Sequence, residues 1–252
     1  MRYRYLGRTG VQVSEYMLGT MSYGSDGNTD KKECMDIVHC ALDRGINFID
    51  TADTYSHGEA EEIVGKAITG RRDKVVLATK FRLAAGEGRN EQGGSRYWIM
   101  KQVENSLRRL NTDHIDLYQL HRPDPETDLE ETLGALSDLV AQGKVRYIGC
   151  STLPSLYLAE TQSVSRLNKT ARFVNESSLL HFSTGGGEGD APCHSTLPYG
   201  FHRLEPAKWR LADWQVQGQR LGAVRIQSRA RKRTVGTALP NSANAIRHAA
   251  RG

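Results

Sequence analysis

Apolar and polar positions alternate along this chain in a repeating order. Ile46, Phe48 and Ile49 form a short apolar run that ends on Asp50, a charge that a strand interior does not normally accept. Asp50 is therefore expected at the mouth of a buried strand. A polar loop with Tyr55, His57 and Gly58 follows, and then a helical pattern over Glu59 to Ile68, with Ile63, Val64, Ala67 and Ile68 on its apolar side. The same order recurs on both sides. Val13 to Leu18 reads as a first strand closing on Gly19-Thr20-Met21, and Thr29 or Asp30 can cap a helix that runs to Arg44. That helix carries Met35, Val38 and Leu42 at helical spacing, and Gly45 ends it. Val75 to Ala78 is the third strand, leading into Lys80. A Gly-rich loop, Phe81 to Arg96, precedes a helix from Tyr97 with Ile99, Val103, Leu107 and Leu110 turned inward. Ile115 to Leu120 is the fourth strand, ending on His121. A helix over Leu129 to Val140 is stopped by Gly143, and Val145 to Ile148 is the fifth strand, ending on Cys150-Ser151. Pro154 opens a further helix at a position that tolerates proline, and Arg172 to Asn175 is the sixth strand. Ahead of all this, Arg2 to Val13 reads as a hairpin around Gly7-Arg8-Thr9-Gly10.

A strand and its helix recur about every 30 residues, the size of a βαβ step. No Gly-x-Gly-x-x-Gly follows the first strand, which argues against a doubly wound dinucleotide fold. Successive strands instead deliver Thr20, Asp50, Lys80, His121 and Ser151 at their carboxyl ends. A closed parallel barrel sets those ends on one ring, where chemistry is built.

Composition narrows the class. The chain has 252 residues and 38% hydrophobic content, enough for one barrel-sized domain or two small ones. No apolar run approaches the roughly 18 residues of a membrane span, and Met1-Arg2-Tyr3-Arg4-Tyr5 lacks the apolar stretch of a signal peptide, so the expected compartment is the cytoplasm, with no membrane partner. Cys34, Cys40, Cys150 and Cys193 show no metal-ligand spacing, and no metal site is expected. The net charge of +5 is unevenly spread: residues 182–252 hold 11 Lys+Arg and 4 Asp+Glu, leaving 23 and 25 for the remainder.

Several motifs at consistent spacing carry a resemblance. Asp50-Thr51-Ala52-Asp53-Thr54-Tyr55-x-x-Gly58-x-x-Glu61, Ala78-Thr79-Lys80, Ser106-Leu107-Arg108-Arg109-Leu110, Asp116-Leu117-Tyr118 and Leu120-His121 resemble the aldo-keto reductase family from about Tyr3 to about Leu180. The resemblance implies an α/β fold, a (β/α)8 barrel, that binds NADPH across the carboxyl-end face and reduces aldehydes and ketones to alcohols. It maps the family's catalytic tetrad onto Asp50, Tyr55, Lys80 and His121.

The residues support that chemistry. Carbonyl reduction needs a hydride, which no side chain supplies, and an acid for the developing alkoxide. A free phenol, with a pKa of about 10, is a poor acid near pH 7, and a neighbouring lysine ammonium favours the phenolate and eases proton release. Asp50 would hold Lys80 charged and aimed; His121 would hydrogen-bond the substrate oxygen or relay a proton. Taken singly, Asp50 and Lys80 also fit a structural ion pair, Tyr55 a loop aromatic, and His121 a cap on a backbone carbonyl. Trp98, Tyr23 and Phe81 are candidates to shape a carbonyl pocket, with Trp98 equally suited to a core contact.

For the cofactor, Gly19, Thr20 and Met21 resemble the family's contact on the first strand. Ser151-Thr152 stands where the family usually has Ser-Asn, and the threonine keeps a hydroxyl while losing the amide. Glu176-Ser177 replaces the family's frequent Glu-Gln.

The resemblance ends near His181. Residues 1–181 are expected to form about six βα units of an incomplete barrel, and residues 182–252 an irregular basic tail. The further units, with the basic segment that grips the adenosine phosphate, are not recognisable there. Only 12 of those 71 residues are Leu, Ile, Val or Phe, below the roughly 20% under which chains tend to stay disordered. The change in composition fits a shifted reading frame or an aberrant gene model, which the other two frames of the coding DNA beyond Leu180 would test. The run Arg229-Ala230-Arg231-Lys232-Arg233 has no interleaved aromatics, so no nucleic-acid partner is expected. Two other readings stay open: a nucleotide-binding channel regulatory subunit of the same fold, and a catalytically dead fragment.

Overall fold

The computed structural model describes residues 1–86 and 88–177. The tail at 182–252, and the boundary expected before it, lie outside these residues. The described part opens with strands β1 (Tyr3–Tyr5) and β2 (Gln12–Ser14), which pair antiparallel with Arg4 opposite Val13. It continues through β3 (Leu18–Gly19), α1 (Lys31–Asp43), β4 (Phe48–Asp50), α2 (Glu59–Ala67), β5 (Val76–Phe81), α3 (Arg96–Leu110), β6 (Ile115–Leu120), α4 (Leu129–Ala141), β7 (Val145–Ser151), α5 (Ser155–Asn168) and β8 (Phe173–Ser177). Strands β3 to β8 form one parallel sheet in sequence order. This is the order of a (β/α)8 barrel, incomplete among the described residues.

Local chemistry sets the boundaries. The Asp30 carboxylate accepts from the Glu33 amide at 3.0 Å and starts α1, and the Ser95 hydroxyl accepts from the Trp98 amide at 3.3 Å and starts α3. Asn111 ends α3 in the left-handed region, and Gly45 and Gly143 follow α1 and α4 with positive φ. The first strand differs from expectation. Val13 belongs to the hairpin, and β3 is only Leu18–Gly19. The reason is packing: Leu6 and Val13 plug the floor of the sheet's inner face, where they cluster with Phe48, Ala78 and Leu117. The third and fifth strands also run on to Phe81 and Ser151, which places Lys80 inside its strand.

Alternation along the strands separates two cores. Ile49, Leu77, Tyr118 and Ile148 belong to the large cluster that includes Val38, Ile63, Ile99 and Leu136 of the helices, all buried. Helices α2 and α3 approach so closely at Gly65 that a Cβ there would stand 2.6 Å from the Leu110 backbone. This glycine is what brings the charged side chains of the two helices together.

Candidate active site

On the inner face, above the apolar floor, the pairing of Lys80 with Gln119 sets two polar side chains side by side on β5 and β6, and Asp50 at the end of β4 bonds both in one polar layer. The Lys80 Nζ donates to Asp50 Oδ2 at 2.5 Å, to the Thr51 carbonyl at 2.9 Å and to the Tyr55 hydroxyl at 3.1 Å. All three ammonium hydrogens are thereby used. Asp50 Oδ1 accepts from Gln119 Nε2 at 2.9 Å, and Gln119 Oε1 accepts from Asn175 Nδ2 at 3.3 Å. Asp50, Lys80, Gln119 and Asn175 are all buried. Burial by itself pushes the Lys80 ammonium toward deprotonation, but the charge of Asp50, the neighbouring Tyr55 and hydrogen bonds to both outweigh it and leave the pKa raised.

Tyr55 reaches this layer from the loop after β4. The loop is tied to β5 by the Thr51 amide donating to the Ala78 carbonyl at 2.9 Å. Directly after Tyr55, Ser56, His57 and Gly58 all adopt positive φ, at 47°, 55° and 94°. Two consecutive non-glycine residues in that region are strained and persist only where the surroundings fix them. The Ser56 hydroxyl donates to the Tyr23 carbonyl at 2.6 Å and accepts from the Asp26 amide at 3.1 Å.

His121 follows β6, with its ring edge-on to Tyr55 at a centroid distance of 5.9 Å. Burial, then the charges of Lys80 and Arg122, lower its pKa to about 3, so the ring is neutral near pH 7. Its Nδ1 is buried with no hydrogen-bond partner among the described residues. A neutral imidazole can orient a substrate oxygen but carries no charge to give.

The four side chains expected to converge do so around Lys80. The expected cofactor residues line the same end of the sheet. Gly19 closes β3 with open space where a Cβ would point, Met21 is exposed, and the buried Thr20 hydroxyl donates to the Asp50 carbonyl at 3.1 Å. Ser151 ends β7 with its hydroxyl 3.4 Å from that of Thr152, whose φ is 54°. Glu176 pairs in register with Cys150, and Ser177 with Ser151.

Of the three pocket candidates, two belong to the outer core. Phe81 points outward and stacks on Tyr118 at 4.7 Å, because odd positions of β5 face the helices. Trp98 is buried in the first turn of α3 beneath Lys101, and Tyr23 belongs to the outer core. Sequence reasoning missed Gln119 and Asn175. The available signal was period two: Gln119 shares its face with Leu117 and lies two residues before His121.

Comparisons with known proteins agree with this geometry. The model of the Aldo/keto reductase family matches residues 16–179. The aldo-keto reductase YhdN of Bacillus subtilis (strain 168) is 46% identical over 155 residues, covering 60% of this chain and 47% of that protein. The aldo-keto reductase AFTS1 of Alternaria alternata is 40% identical over 212 residues, covering 71% and 58%. A probable voltage-gated potassium channel subunit beta of Oryza sativa subsp. japonica is 34% identical over 212 residues, covering 82% and 64%. The chain thus spans about half to three fifths of the length of most of the curated relatives it matches. From the loop before β3 through the sixth parallel strand one family pattern accounts for the sequence, and the chain belongs to the aldo/keto reductase family.

Proposed function

We propose that the chain is an NADPH-dependent reductase of aldehydes and ketones, with Tyr55 as proton donor to the developing alkoxide. One observation carries this reading: Lys80 donates to both Asp50 and the Tyr55 hydroxyl. A phenol oxygen that accepts from an ammonium keeps its own hydrogen for another acceptor, and the ammonium stabilises the oxyanion left after donation. Asp50 keeps Lys80 charged, and Gln119 satisfies the other Asp50 oxygen, so the pair is fixed before substrate arrives. The neutral ring of His121 stands beside the phenol and is suited to orient the carbonyl oxygen by a hydrogen bond.

The rim fits the nicotinamide end of a dinucleotide. Gly19 leaves open space at the end of β3, and the Ser151 and Thr152 hydroxyls at the end of β7 suit a carboxamide. Gly19, Thr20, Met21, Asp50, Ser151 and Thr152 would hold that end, with Thr20 acting through shape because its hydroxyl is committed to Asp50. When bound, the cofactor supplies the hydride.

Similarity to a channel subunit beta favours a second reading, a nucleotide-binding regulatory subunit. Absorbance of the nicotinamide band during incubation of the full chain with NADPH and a simple aldehyde separates the two. A reductase loses the band with turnover. Saturable NADPH binding without turnover favours the regulatory subunit and counts against the reductase.

A further inference from the structure

Behind the inner layer, on the outer face of β5, lies a second group of buried charges that the proposed reaction does not use. Glu61 of α2 is fully buried. Its Oε1 accepts from the Thr79 hydroxyl at 2.6 Å and its Oε2 from Arg109 Nε of α3 at 2.7 Å. Asp53, two residues before Tyr55, is buried beside them, and its Oδ2 accepts from Gln102 Nε2 at 2.8 Å. Asp53 Oδ1 and the Tyr118 hydroxyl are both buried without a partner among the described residues. The charges facing Asp53 are Glu61 from α2 and Arg109 from α3, and the Tyr118 phenol of β6 faces the same carboxyl. The node also grips the far end of the strained turn: a Cβ at Gly58 would stand 2.7 Å from Arg109 Cδ.

One guanidinium stands near two carboxylates and, of the two, bonds only Glu61. With Asp53 protonated, Glu61 and Arg109 balance and the loop is held. With Asp53 ionised, two anions share one cation in a region of low dielectric, and the only donors to Asp53 among the described residues are uncharged, the Gln102 side chain and the Thr54 backbone amide. The segment that carries this misfit is the one that carries Tyr55, with the Asp53 amide bound to the Lys80 carbonyl at 3.4 Å.

We propose that Asp53 is a positioning residue for Tyr55, and that gain or loss of a proton at its carboxyl, within the node formed with Glu61 and Arg109, sets how firmly the Tyr55 turn holds the phenol against Lys80. The role rests on the reading of Tyr55 as the acid. Burial, then the charge of Glu61, raises the Asp53 pKa to about 7, so the exchange falls near neutrality, with the turn held below that pH and loosened above it.

The test is a pH titration of the full chain labelled with 13Cζ-tyrosine, with Tyr55 and Tyr118 assigned from Tyr55→Phe and Tyr118→Phe. Both resonances are expected to inflect with a common midpoint near pH 7, and both inflections are expected to vanish in Asp53→Asn. They are expected to persist in His57→Gln, which removes the nearby exposed imidazole. A Tyr118 inflection with none at Tyr55 shows that the proton is not felt at the phenol and overturns the proposal. Absence of both in the wild-type chain overturns it as well, without recourse to any variant. Retention of reductase activity by Tyr55→Phe would sink the acid role of Tyr55 without altering what the wild-type titration reads, so the two failures are separable.

Discussion

The two faces of β5 both bury charge, and they balance it differently. Inward, the Lys80 ammonium faces one carboxylate, Asp50, whose oxygens are both hydrogen-bonded and whose partner has no unused hydrogen. Outward, Arg109 bonds Glu61, and Asp53 has no ion pair among the described residues. The Lys80 ammonium, its pKa raised by Asp50 and Tyr55 against the effect of burial, stays charged across the physiological pH range. The outer node can take up or release a proton. Buried ion pairs add little net stability when complete and cost much when one partner is lost, so the contrast lies in what happens on perturbation.

Breaking the inner pair should have the largest effect. Lys80→Met leaves Asp50 buried and uncompensated, and urea unfolding at pH 7 should show a loss of about 3 to 5 kcal/mol. Next comes the outer node. Asp53 binds its proton more tightly folded, at about pH 7, than unfolded, at about pH 4, so the native state holds the extra proton between those values. Its stabilising contribution is full below about pH 4 and is lost as pH rises through about 7, on the order of 2 to 4 kcal/mol. Unfolding measured at intervals over that range should show this slope in the wild-type chain and not in Asp53→Asn. A smaller loss, about 1 to 3 kcal/mol, is expected for Gln119→Leu, which strips the second donor from Asp50. By contrast, Lys32→Ala, which removes an exposed pair with Asp36, should leave the unfolding midpoint unchanged within error.

The inner face is largely legible in the sequence and the outer node is not. Asp50, Lys80 and His121 each follow or close an apolar run, where a charge or imidazole is out of place unless the position is a strand mouth. Gln119 escapes notice because an uncharged polar residue inside a strand looks like an ordinary solvent-facing alternate; only the register opposite Lys80 gives it a role. Glu61 and Arg109 are 48 positions apart, on helices where charged residues read as surface. Their burial depends on the close approach of α2 and α3 at Gly65, a tertiary contact that helical periodicity does not encode. The first strand is misplaced for a related reason, since Val13 fits a strand in either sheet and packing under Phe48 and Leu117 decides between them.

The role of Tyr55 can be tested most directly by the ratio of aldehyde reduction rates for the wild-type chain and Tyr55→Phe, taken at equal NADPH occupancy read from quenching of tryptophan emission. Loss of a positioned proton donor predicts a rate lower by roughly a hundredfold or more with cofactor binding retained. A Tyr55→Phe chain that binds NADPH and reduces the aldehyde at the wild-type rate would contradict it.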